Sequence, residues 1–222
     1  MDNELKDSFN PAASTREIES FVADAAGGDY KAVITFLEKY SADIDKRSEE
    51  GWSALRYAAR YGHRRVVKAL LEKGASVDLN DRDQMTALLY AARYGHTDVA
   101  ELLLEKNADI NRKNKAGWTP LMWAVKNGHK EMVELLLKKG ALLDQKNEDG
   151  STALILAAWN RHKDIAEMLL KKSASYSEKD NAGMTALALA RVSNDPATIQ
   201  LLEEWIETKK QSPLSPQKTN PF

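Results

Sequence analysis

The chain has 222 residues, and its 32 basic and 33 acidic side chains leave a formal net charge of −1, so a polyanion such as duplex DNA is offered no global attraction. It has no cysteine, which excludes disulfide frameworks, thiolate metal sites and cysteine nucleophiles together. The opening MDNELKDSFNPAAS lacks the apolar stretch of a signal peptide, and no segment is long and apolar enough to cross a bilayer. A soluble, cytoplasmic chain without membrane attachment is expected.

In chain order, residues 1–15 read as a flexible tail, and from residue 16 the sequence falls into six units at 16–48, 49–81, 82–114, 115–147, 148–180 and 181–207. Residues 208–222, containing QSPLSPQKTNPF, read as a disordered, proline-containing end. The units are set by a period of 33: GWSAL at Gly51, QMTAL at Gln84, GWTPL at Gly117, GSTAL at Gly150 and GMTAL at Gly183. A second phrase keeps the same step and places His63, His96, His129 and His162, then Asp195, in equivalent positions. Such a period marks stacked supersecondary units, each unable to bury its apolar face alone.

The first unit lacks the Thr-Pro-Leu phrase but keeps Gly28, Val33, Ile34 and Leu37 in register, as an N-terminal cap would. The fourth is the clearest copy. Thr119 is expected to cap a short helix with Pro120 in its first turn, where no amide proton is needed, and Gly128 to end it in the left-handed conformation. His129 then leads into a second helix with Met132, Val133, Leu135, Leu136 and Leu137 on a broad apolar face. Ser53, Thr86, Thr152 and Thr185 are the matching caps. Alanines at 58, 59, 91, 92, 124, 157 and 158 let neighbouring first helices approach closely. Arg161 and Ser173 replace turn glycines, so strain is expected in the fifth unit; Asn107 and Asn194 do so more mildly, and Gln84 replaces the hairpin glycine of the third unit, where an altered tip around Met85 is expected. In the last unit Asp195 and Pro196 are expected to start a final helix with a polar outer face.

The pattern GxTPLxxAxxxGHxxxVxLLLxxGAxxD, nearly complete from Gly117 to Asp144, resembles the ankyrin repeat, and the resemblance covers about residues 17 to 207. It implies an all-α solenoid of helix-turn-helix units linked by β-hairpin loops. It also implies protein recognition through a concave groove between the hairpin tips and the first helices.

No catalytic constellation is found. The four histidines are one unit apart, about 8–10 Å, so they form a ladder and cannot converge on one metal ion. The repeated Ser and Thr are accounted for as caps, and the glycines are isolated at turns and not grouped into a phosphate-cradling loop. The reading is a non-enzymatic chain with no cofactor and no metal. The residues that vary on the implied groove are Trp52, Met85, Trp118 at the tips, and Arg60, Tyr61, Arg93, Tyr94, Lys126, Asn127 and Trp159 at the ends of the first helices. These types are enriched at the energetic centres of interfaces. The expected partner is a protein segment with apolar anchors and acidic flanks, bound by a monomer acting as adaptor, inhibitor or regulator. Tyr57, Tyr90 and Trp123, one turn earlier, read as packing between units, and Lys73, Lys106, Lys139 and Lys172 as cations suited to helix ends. The alternative is a rigid scaffold whose tails, Met1 to Ser14 and Gln211 to Phe222 with its two Ser-Pro pairs, recruit partners. Nucleic-acid binding through the basic stripe is disfavoured by the net charge.

Overall fold

The computed structural model describes residues 12–211, so residues 1–11 of the tail expected at 1–15 and residues 212–222 of the proline-containing end expected at 208–222 lie outside the described residues. Two compact units divide the chain, one ending at Ala141 and the other beginning at Leu142. Both are all-helical, as the periodicity predicts. The first holds α1 (Thr15–Gly27), α2 (Tyr30–Lys39), α3 (Ala54–Arg60), α4 (Arg64–Glu72), α5 (Ala87–Tyr94), α6 (Thr97–Glu105), α7 (Pro120–Lys126) and α8 (Lys130–Lys138), with a short 3-10 turn at Ser41–Asp43. The second holds α9 (Ala153–Trp159), α10 (Lys163–Lys171), α11 (Ala186–Val192) and α12 (Pro196–Gln211), the last of which runs past the expected limit at 207. No helix among the described residues is long and apolar enough to cross a membrane.

In the first unit α1 packs on α3, α3 on α5 and α5 on α7, while α2, α4, α6 and α8 form a second row behind them. The short side chains of Ala58, Ala59, Ala91, Ala92 and Ala124 are wholly buried in the first row. The second row supplies Val66, Val67, Leu70, Val99, Leu103, Met132, Val133 and Leu136, all inaccessible to solvent or nearly so. Full burial of such a side chain contributes about 1.5–3 kcal/mol, which is what holds helices of seven to nine residues that would not persist alone. In the second unit α9 packs on α11, and α12 closes against both α10 and α11.

Helix starts follow the expected caps with two corrections. Thr86, Thr119, Thr152 and Thr185 each accept a bond from the amide three residues on, in α5, α7, α9 and α11. Ser53 stands at the same place before α3 but makes no cap bond, and its Oγ is buried without a partner. Asp195 precedes α12 as expected, yet its Oδ2 is also buried without a donor. The lysines at 73, 106, 139 and 172 are the C-cap residues of α4, α6, α8 and α10.

The hairpin linkers are tight loops and not ladders: among the described residues the one β-bridge is Arg47 with Ser53. A side chain turns each tip. Asp81 Oδ1 accepts the amides of Asp83 and Met85, Asn114 Oδ1 those of Ala116 and Trp118, and Asp180 Oδ1 those of Ala182 and Met184. Ser48 and Asn147 keep the same register with single bonds to Trp52 and Ser151. Such side-chain turns satisfy amides that a longer strand pair would otherwise have to bond.

Neighbouring repeats are joined by polar bonds at the same period. Asp45 accepts from the Ser76 amide, Asp78 from that of Asp109 and, in the second unit, Asp144 from that of Ser175. The histidine ladder is structural. His63 Nε2 lies 2.8 Å from the carbonyl of Ala26, His96 Nε2 2.9 Å from that of Arg60, and His129 Nε2 3.1 Å from that of Arg93. A carbonyl only accepts, so each Nε2 carries the proton. The ring passes so close to the preceding turn that a Cβ on Gly62 would stand 2.5 Å from His96 Nδ1, and Gly62 has φ +75°. Gly62→Ala should therefore cost at least the 1–2 kcal/mol of a left-handed L-residue, and His96→Ala in the same chain should be less than additive with it in urea unfolding.

The strained positions lie where the glycines are missing: Gln84, Asn107, Arg161, Ser173 and Asn194 have φ between 53° and 71°. Arg161 is tolerated because the position that carries a histidine ring in earlier repeats is Asp195 in the next one. The backbone cost remains. Arg161→Gly should stabilise the second unit by about 1 kcal/mol, read as increased hydrogen-exchange protection in α9 to α11; unchanged protection would show an unstrained turn.

Candidate interaction face

In the first unit the C-terminal ends of α3, α5 and α7 and the tips before them bring cations and rings into an alternating series. Arg60, half-buried at the end of α3, sits over four rings, 5.3 Å from the centroid of Trp52, 5.6 Å from Tyr61, 5.9 Å from Tyr90 and 5.3 Å from Tyr94. Arg93, one repeat on, lies 5.7 Å from Tyr94 and 4.6 Å from Trp123. Lys126 follows at 4.8 Å from Trp118 and 5.4 Å from Trp123. A cation held over a ring gains about 0.5–1 kcal/mol at such exposed sites and loses much of its rotamer freedom.

The rings support one another. Trp52 stacks on Tyr57 at 4.3 Å and leans on Tyr90 at 4.9 Å, and Trp118 leans on Trp123 at 4.6 Å. Trp52 and Trp118 are thus half-buried and serve as walls, while Tyr61 and Tyr94, 50% and 39% exposed, are the rings that face solvent. Tyr90 and Trp123 pack between repeats as the sequence suggests, whereas Tyr57 stacks on Trp52 and Tyr61 of its own repeat.

Two of the expected residues do not present a free side chain. Met85 is only 4% exposed and is packed with Leu89 and Tyr90 beneath Trp52 and Trp123. The tip after Gln84 turns it inward because an unbranched thioether fills the space between two aromatic layers. Asn127 spends its amide on the carbonyls of Arg93 and Trp123, at 2.9 and 3.1 Å, and so fastens α7 to α5. Trp159 belongs to the second unit, where it ends α9 and is 50% exposed.

Sequence reasoning missed Arg56. Its register position holds Leu89, Met122 and Ile155 in later repeats, and that contrast was the available signal. Arg56 is wholly buried under Trp52, its Nη2 donates to the Gly51 carbonyl, and its Nε and Nη1 have no partner. Desolvation lowers the pKa of the guanidinium, with Asp81 the leading opposing charge. Asp81 is itself committed: its Oδ2 accepts from the Tyr90 hydroxyl at 2.8 Å, and burial, then that bond, push the Tyr90 phenol above its ordinary pKa. Tyr90→Phe should cost about 1.5–3 kcal/mol, as expected for a hydrogen bond to a charged group, and a thermal melt with unchanged midpoint would show that the bond contributes nothing.

Comparison with known proteins agrees with this geometry. No curated protein matches the chain. The sequence model described as ankyrin repeats (3 copies) matches residues 21–114 and again 111–180, well over half of the 222 residues. With its repeated helix pairs and the period of 33 that sets them, the chain belongs to the ankyrin-repeat family.

Proposed function

We propose that the chain is a non-enzymatic interaction module and that the first unit binds a segment of another protein on the face formed by Arg60, Tyr61, Arg93, Tyr94 and Lys126, with Trp52 and Trp118 as its walls. Ankyrin repeats are in general protein-interaction modules, which supports the class of activity. The observation that carries the choice of face is the solvent exposure of Tyr61 and Tyr94 between two arginines. Neither arginine has a carboxylate within ion-pair distance among the described residues. Exposed aromatic and arginine side chains in one patch are what the centre of an interface displays before its partner arrives. Met85 and Asn127 contribute by holding the face together. Trp159 would take part only through the second unit. The role that fits is that of a cytoplasmic adaptor, inhibitor or regulator acting as a monomer.

The test is capture from source lysate by three forms of the chain that melt alike: wild type, a face variant with Tyr61→Ser, Arg93→Ser and Tyr94→Ser, and a control with Glu101→Ser and Glu134→Ser on α6 and α8. Proteins held by wild type and control but lost from the face variant, by tenfold or more, are the expected result. Equal capture by all three would remove this face as the site.

A further inference from the structure

We infer that the segment bound by the first unit is acidic, and that two of its carboxylates are received by Arg60 beside Trp52, with the buried charge of Arg56 beneath it, and by Arg93 one repeat further on. The inference rests on the reading of the face given above and deepens it by naming what the partner must carry.

Three observations support it. First, the cations are held in place before any partner binds. Arg60 and Arg93 both lie over the Tyr94 ring, at 5.3 and 5.7 Å, which puts their guanidinium carbons no more than about 11 Å apart. A guanidinium kept by a ring keeps its planar fork of donors, so little freedom is lost when a carboxylate takes two of them. Second, Arg56 is a buried charge at a register position that is apolar in the next three repeats. Its Nε and Nη1 are unpartnered, and no carboxylate pairs with it among the described residues. A buried cation with two unmet donors and only the already bonded Asp81 for opposing charge destabilises the free chain, and an anion brought to the edge of Trp52 offsets part of that cost through its field. Third, an extended chain can place two carboxylates within the limit that the shared Tyr94 ring sets on the two guanidinium groups. Polyproline-type backbone rises about 3.1 Å per residue and repeats every third, so acidic residues three apart fall on one side at about 9 Å.

Single-stranded nucleic acid is the other ligand for cations among rings, since bases stack on exposed aromatic faces. Here Arg60, Arg93 and Lys126 already lie over the rings, and the whole chain carries a net charge of −1. Those features favour the acidic protein segment.

The experiment is selection of a random dodecapeptide display library on the intact chain, followed by titration of the selected peptide against variants. The expected consensus has at least two acidic residues within four positions. Its binding should fall about tenfold in Arg60→Lys, which keeps the charge and loses the fork, and as much in Arg93→Lys. Arg56→Met, which installs the residue found at Met122, should raise the melting temperature and yet weaken the peptide several-fold. A structural role for Arg56 would move both in the same direction. A consensus without paired acids, yet displaced by the Tyr61, Arg93 and Tyr94 face variant, would overturn this inference and leave the face standing. Peptides indifferent to that variant would overturn both. An oligothymidylate that competes the peptide away and depends on Arg60 and Arg93 would also overturn the inference in favour of nucleic acid.

Discussion

The first unit depends on one recurring contact, the histidine ring that reaches from the start of each second helix to the carbonyl at the end of the preceding first helix. His63, His96 and His129 make it in turn. It fixes three things together. The ring sets how closely successive helix pairs approach. It demands a glycine at the turn it covers, for space as well as for the positive φ. It also satisfies a helix-end carbonyl, which would otherwise be left without an intrahelical partner. At Arg93 the same carbonyl takes a second donor from Asn127, so the α5 to α7 junction is bonded twice.

With the helix ends held, the side chains just before them are free to do something other than pack. This is why Arg60 and Arg93, and not the apolar residues one turn earlier, carry the chemistry of the face. Their neighbours Tyr90 and Trp123 are committed to filling the space between first helices, Tyr57 stacks on Trp52, and the tip residues Trp52 and Trp118 close over them. The result is a surface whose cations are oriented by rings that are in turn oriented by the core. Rigidity of this kind lowers the ordering cost of association more than it adds contacts.

The fold was largely legible because its signals repeat. A period of 33, capping threonines and turn glycines each recur, so a weak local preference is read several times over. The site was less legible, for reasons that particular residues make plain. Met85 occupies the same slot as Trp52 and Trp118, and nothing in the spacing says that a flexible thioether will fold inward where indole rings only half-bury. Asn127 looks like a surface polar residue until the Arg93 carbonyl is seen within reach. Arg56 is a charged residue at a buried register position, and only comparison with Leu89, Met122 and Ile155 marks it as the odd member of that register. Ser53 stands where four threonines cap their helices, and it makes no cap bond. The tip turns built on Ser48, Asp81, Asn114, Asn147 and Asp180 kept the period throughout, but side chains of different types hid them.

The histidine contact also has a direction. Each ring belongs to the later helix pair and grips the earlier one, so a pair needs its predecessor in place before its ring can lock, while the predecessor only supplies a carbonyl that its own helix already presents. A ribosome releases the chain in that same order, N-terminal segments first. As it emerges, each helix pair finds the preceding carbonyl already in the chain ahead of it, so the direction of the contact and the direction of translation coincide.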